Sequence, residues 1–104
     1  MKIKPFVLDY LTRLKIILDE IDPNTISDIV DALEQTLEDK SRIYIIGNGG
    51  SSATASHMVN DLGAGLRRRG IINFDVLSLG DNGPVITAIA NDIGYENTFF
   101  MQMK

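Results

Sequence analysis

One junction constrains this chain more than any other. Ile43-Tyr44-Ile45-Ile46 runs straight into Gly47-Asn48-Gly49-Gly50-Ser51-Ser52, and a helical pattern starts at Ala53. An apolar, β-branched run with no polar alternation predicts a strand buried on both faces, as in a parallel sheet. Strand–helix alternation in turn implies right-handed crossovers.

The rest of the chain fits around that junction. Val7, Leu11, Leu14, Leu18 and Ile21 recur at steps of four and three, which predicts an amphipathic helix from about Pro5 to Glu20. Asp22-Pro23 predicts a restart, with Asp22 as N-cap and Pro23 at the first helical position. Ile26, Ile29, Val30, Leu33 and Leu37 then carry a second stripe to about Asp39. Such stripes suit packing on the chain's own domain or on a partner subunit. After the glycine turn, the helix through Ala53, His57 and Met58–Leu62 has Gly63, Gly65 or Gly70 as candidate ends. Phe74–Leu79 predicts a second strand. Gly80-Asp81-Asn82-Gly83-Pro84 is a turn, with Pro84 opening a helix that Asn91–Tyr95 closes. Asn97 or Thr98 would cap one more helix.

The predicted order is α-α-β-α-β-α-(α), in 104 residues. That length suits one domain, with leading helices over 1–40 and the first βαβα units over 41–104. Two parallel strands cannot cover themselves, since stable sheets need three or more. The expectation is therefore the front part of a larger, truncated α/β domain. Composition narrows the partners. A net charge of −4 opposes a nucleic-acid-coating surface, whose footprint is basic. The apolar stretches are far short of the ~20 residues a membrane span needs. Asp9 and Arg13 interrupt what a signal peptide would require. No cysteine is present to form a disulfide or a thiolate metal site. These features together suggest a cytoplasmic protein.

A strand, a glycine turn and a helix together make an anion site. Glycines let backbone approach a ligand closely, and first-turn N–H groups with the helix dipole favour an oxyanion. The turn is not a Walker loop, because no Gly-Lys-Ser/Thr ending follows. It is a poor dinucleotide fingerprint, because Ser52 stands where the third glycine would be and Asp81 lies about 10 residues too far along. A tight βα turn with no ligand is the alternative.

His57 and Asp61 stand at i and i+4, which puts them on one helix face. An imidazole and a carboxylate so placed can share a metal ion or act together on a substrate. The alternative is a packed or capping histidine beside a solvated acid. Asp61 is expected near the helix C-terminal end, where the dipole disfavours its charge. Asn91-Asp92 offers amide donors and a carboxylate acceptor suited to sugar hydroxyls, or simply ends a helix. Arg67-Arg68-Arg69 reads as a solvated helix end.

Ile45–Ala53 with "GNGGSS", Ala55-Ser56-His57, and "TAIANDIGYE" from Thr87 to Glu96 resemble the sugar-isomerase (SIS) domain family, most like its phosphoheptose isomerases. The resemblance implies a five-stranded parallel sheet flanked by helices, a flavodoxin-like three-layer αβα fold assembled as a homotetramer. It implies that Asn48, Gly49, Gly50 and Ser51 form the substrate-contacting turn and that Asn91 and Asp92 make a second contact. The family's metal-binding histidine matches His57, and zinc is the candidate metal. Asp61 matches a glutamate that serves as metal ligand, substrate contact and proposed general acid/base. Aspartate keeps that chemistry with one methylene less reach. Gly65 stands where the family commonly has arginine. The family's serine-rich phosphate loop and its C-terminal glutamine and histidine lie beyond Lys104.

The implied activity converts sedoheptulose 7-phosphate to D-glycero-D-manno-heptose 7-phosphate through an enediol, supplying heptose to a surface polysaccharide. A non-catalytic SIS-type module that binds sugar phosphates or a partner protein is the alternative. A nucleotide-binding Rossmann domain is a third reading, weakened by the imperfect fingerprint.

Overall fold

The computed structural model describes residues 2–104. The chain divides into two compact units, one ending at Ala32 and the other spanning Leu33–Lys104. The boundary falls inside the second helix.

In the first unit, α1 spans Ile3–Asp19. It starts two residues before the predicted Pro5. A proline is tolerated there because the first-turn amides have no intrahelical partner to lose. The apolar stripe residues Val7, Leu11, Leu14 and Leu18 are exposed. The restart at Asp22 is as its chemistry dictates. Asp22 Oδ1 accepts from the Asn24 amide at 2.9 Å, and its carbonyl accepts from Thr25 N at 3.1 Å. Helix α2, Pro23–Glu38, begins on the proline.

The second unit takes up the last turn of α2 and everything after it. Lys40 ends that helix in a left-handed conformation at φ 54°, with the Ser41 amide bonded back to Thr36 O at 2.9 Å. Strand β1 is Ile43–Ile45 and β2 is Val76–Ser78. They pair in parallel, with Ile43 opposite Val76 and Ile45 opposite Ser78. Arg42 and Asp75 clasp the entry to both strands at 2.9 Å. The hydrogen bond with Asp75, helped by Tyr44, raises the Arg42 pKa above its ordinary value.

One sequence expectation needs correction here. The predicted strands Ile43–Ile46 and Phe74–Leu79 are shorter, because Ile46, Phe74 and Leu79 lie outside the paired ladder. The exposure of this sheet is what two strands alone are expected to show. Tyr44 is 39% exposed and Leu77 43% exposed, because a two-stranded sheet has no further strand or helix to cover that face.

Helix α3, Gly50–Val59, packs on both strands. Ala55 on α3, Phe74 just before β2, Val76 within it and Leu79 just after it are the buried apolar residues. Helicity does not stop at Val59. It continues as a π-helical stretch, Asn60–Gly65, then α4, Leu66–Arg68. Gly70, at φ 67°, ends the run with a Schellman pair of bonds, Gly70 N to Arg67 O and Ile71 N to Leu66 O. Asp61 is therefore not at a helix C-terminus as expected but inside a continuous helical run.

Helix α5, Gly83–Asp92, is capped by Asn82, whose Oδ1 accepts from Val85 N at 3.2 Å. A 3-10 turn, Tyr95–Asn97, leads into α6, Thr98–Met103. These three elements pack on one another. No helix among the described residues is long and apolar enough to cross a membrane.

Candidate functional site

The glycine turn sits at the C-terminal end of β1, where open α/β sheets bind ligands. Its shape depends on two glycines. A Cβ at Gly47 would lie 2.5 Å from the Ser51 carbonyl carbon and oxygen and 2.8 Å from Ser52 N. Gly49 has φ 54° and ψ −121°, a conformation that side chains disfavour. The Asn48 carbonyl accepts from the Ser51 and Ser52 amides at 2.9 and 3.3 Å. Among the described residues, the amides of Gly49 and Gly50 have no such partner. They are the turn's available donors, at the positive end of the α3 dipole.

A cavity of about 190 Å³ opens beside this turn. Gly47, Asn48, Gly49 and Ser52 form one wall. Gly80 after β2, Ile86 of α5, and Tyr95, Thr98 and Phe99 form the rest. The Tyr95 hydroxyl donates to Asn48 Oδ1. Ser56 Oγ on α3 donates to Asp81 Oδ1, which ties the loop after β2 to α3.

His57 and Asp61 meet as their spacing predicts. His57 Nε2 and Asp61 Oδ2 are 3.3 Å apart, and both side chains are exposed. Asn60 Nδ2 donates to the other oxygen, Asp61 Oδ1, at 3.3 Å. The π-helical stretch that carries Asp61 is of a kind often found at functional sites. Two ligands of a tetrahedral zinc ion, with Zn–N and Zn–O bonds near 2.1 Å, lie about 3.4 Å apart. The pair thus fits one edge of such a site and supplies two of about four ligands. No group of three or more histidine or acidic side chains suited to a metal is present among the described residues.

The remaining predicted residues are placed as follows. Asn48 and Gly49 line the cavity. Gly50 and Ser51 open α3 behind it. Asn91 and Asp92 lie exposed on the last turn of α5, with Asn91 Nδ2 donating to Asp92 Oδ1 at 3.0 Å. Neither they nor the His57–Asp61 pair borders the cavity.

Tyr95, Gly80, Ile86 and Phe99 were not singled out as site residues from sequence. Tyr95 falls within the quoted "TAIANDIGYE" stretch, but nothing local marks its hydroxyl as a partner for a residue 47 positions away. Asp81, misplaced for a dinucleotide fingerprint, accepts from the Ser56 hydroxyl.

Fold and turn together define an α/β domain of parallel strands with a glycine turn at their C-terminal edge. Residues 9–104 match the SIS domain family, and the chain belongs to that family. The phosphoheptose isomerase of Helicobacter pylori is 42% identical over 77 residues, covering 72% of this chain and 38% of that protein. That of Geotalea daltonii is 31% identical over 105 residues, covering 99% of this chain and 53% of that protein. The solved structure of phosphoheptose isomerase GmhA from Neisseria gonorrhoeae superposes with a TM-score of 0.79 at 23% identity. It covers 98% of this chain and 53% of that one, and it shows that the fold is shared. The chain thus spans about half or less of these relatives' length.

Proposed function

We propose that this chain carries part of the active site of an aldose–ketose isomerase acting on a phosphorylated heptose. The proposed reaction converts sedoheptulose 7-phosphate to D-glycero-D-manno-heptose 7-phosphate. The observation that carries this reading is the His57–Asp61 pair, 3.3 Å apart, on the helix that the anion-binding turn opens. The two relatives above, each named phosphoheptose isomerase, support the substrate class.

In this reading the Gly49 and Gly50 amides and Asn48 donate to sugar oxygens. Asn91 and Asp92 orient hydroxyls. The Asp61 carboxylate takes a proton from C1, next to the C2 carbonyl, and returns it to C2, while the O1 hydroxyl proton passes to O2, so that the enediol becomes the aldehyde. His57 and Asp61 would hold a zinc ion, which as a Lewis acid would stabilise charge developing on the enediolate oxygen. A homotetramer in the cytoplasm, supplying heptose to a surface polysaccharide, completes the proposal.

The test is incubation of the full gene product with ketose and aldose phosphates in deuterated water. Deuterium should appear at the carbon beside the carbonyl. Metal analysis should find zinc in the wild type and its loss in His57→Ala. Absence of turnover on every sugar phosphate would refute the reading. One observation favours a non-catalytic sugar-phosphate-binding module instead: neither His57 nor Asp61 borders the cavity at the turn. Tight binding without turnover would select that alternative.

A further inference from the structure

Tyr95 stands on a turn fixed from several sides. Thr98, 1% exposed, donates its hydroxyl to the Tyr95 carbonyl at 2.6 Å. Gln102 Nε2 donates at 3.0 Å both to the Thr98 carbonyl and to Leu79 O, just past β2. Asn97 Nδ2 donates to Ile93 O at 2.9 Å. From this anchored base, the Tyr95 hydroxyl reaches Asn48 Oδ1 in the glycine turn, and both residues line the cavity.

An asparagine side chain has an acceptor end and a donor end of nearly the same shape. Unrestrained, it can present either one. A tyrosine hydroxyl that donates to Oδ1 commits the acceptor end and leaves Nδ2 as the available group. Among the described residues, Asn48 Nδ2 has no hydrogen-bond partner. We propose that Tyr95 is a positioning residue that holds the Asn48 amide with Nδ2 as the donor to ligand, so that the cavity selects molecules presenting an oxygen acceptor, such as a sugar carbonyl or hydroxyl oxygen, at that point. This rests on the sugar-phosphate reading of the site and adds to it the residue that sets one donor's polarity.

Tyr95→Phe keeps the ring and removes only the hydroxyl. In the full gene product it should raise KM for sedoheptulose 7-phosphate about 3- to 10-fold, as for one modest hydrogen bond. The kcat should stay within about twofold, because Tyr95 touches no reacting atom in this assignment. Asn48→Ala should raise KM by itself, and adding Tyr95→Phe to it should change nothing further. Asn48→Asp keeps an acceptor for Tyr95 and removes the donor, so it should bind no better than Asn48→Ala. An unchanged KM in Tyr95→Phe would overturn the inference. So would a full additive effect on top of Asn48→Ala, or wild-type KM in Asn48→Asp. If the wild type turns over no sugar phosphate, the functional reading fails, and NMR decides the positioning separately. The Asn48 side-chain NH2 signals, identified by their loss in Asn48→Asp, should shift in Tyr95→Phe. Unmoved signals would overturn the positioning role.

Discussion

Replacing the three glycines of the turn one at a time by alanine separates space from backbone conformation. At Gly47 the new methyl would sit 2.5 Å from backbone carbon and oxygen of Ser51, against ordinary contacts of 3.4–4 Å. Backbone atoms at the start of α3 cannot rotate away as a side chain tip would, so the turn must shift by about 1 Å, an overpacking cost of roughly 1–3 kcal/mol. At Gly49 nothing lies within 4 Å, but φ is 54°. Alanine there costs about 1–3 kcal/mol from conformation alone. Gly50 has neither problem. Alanine there should change stability by no more than ~0.5 kcal/mol, or raise it slightly by restricting the unfolded chain. Urea unfolding of the full gene product, followed by far-UV circular dichroism, reads these differences as midpoint shifts at constant slope. Calorimetric titration with a sugar phosphate reads the binding. Gly47→Ala should lose both stability and affinity, Gly49→Ala should lose stability, and Gly50→Ala should keep stability. Wild-type stability in Gly47→Ala, or damage in Gly50→Ala equal to that in Gly47→Ala, would refute the account of the turn.

If Asp61 is the proton-transferring group, Asp61→Asn should lower turnover ~10²–10⁴-fold while binding largely survives, and steady-state kinetics would check it. Asp61→Glu should keep or raise activity, and unchanged turnover in Asp61→Asn would remove its catalytic role. Asn82→Ala deletes the acceptor for Val85 N at the start of α5 and should cost about 0.5–2 kcal/mol in urea unfolding. The 104-residue chain by itself should associate rather than unfold cooperatively as a monodisperse monomer, because the Tyr44 and Leu77 side chains are both part-exposed on a two-stranded sheet. Analytical ultracentrifugation would show the difference.

Local chemistry was the legible part of this fold. Asp22-Pro23 announces α2 because capping and the fixed proline φ act within three residues. Ile43–Ile45 and the glycines after it announce a strand and a βα turn for the same reason, and the i,i+4 spacing of His57 and Asp61 was enough to bring them together. What failed depended on neighbours distant in sequence. Gly63 looks like a helix terminator, yet it is buried beneath β2, where a Cβ would come 3.1 Å from Val76 Cγ1. Close helix–strand packing, not termination, explains that glycine, so the helix runs on to Arg68 and Asp61 lies inside it. Strand exposure depends on how many strands flank a segment, which its own residues do not encode. The Tyr95–Asn48 and Ser56–Asp81 bonds join different elements, and no periodicity reveals them.

The separation between turn and pair bears on what the proposed site can hold. Gly50 opens α3, and His57 follows seven residues later on the same helix. At 1.5 Å per residue, the turn amides and the imidazole are about 10 Å apart along the axis. That spacing explains why His57 and Asp61 do not border the roughly 190 Å³ cavity, although all these groups share one helix. A ligand the size of inorganic phosphate could engage the turn or the pair but not both. An open-chain heptose phosphate is long enough to engage one with an oxygen-bearing end and extend toward the other. On the proposed reading, α3 works as a ruler, with anchoring donors at its start and proton-transfer and metal ligands two turns on. The exact placement of Asp61 is set in the π-helical stretch, where Gly63 lets the helix lie close against β2. If Asp61 is the proton-transferring group, its short side chain would make reach toward the substrate depend directly on that backbone. Misplacement of about 1 Å can cost ~100-fold in rate, so on the proposed reading the packing of Gly63 on Val76 would bear on rate through the placement of Asp61.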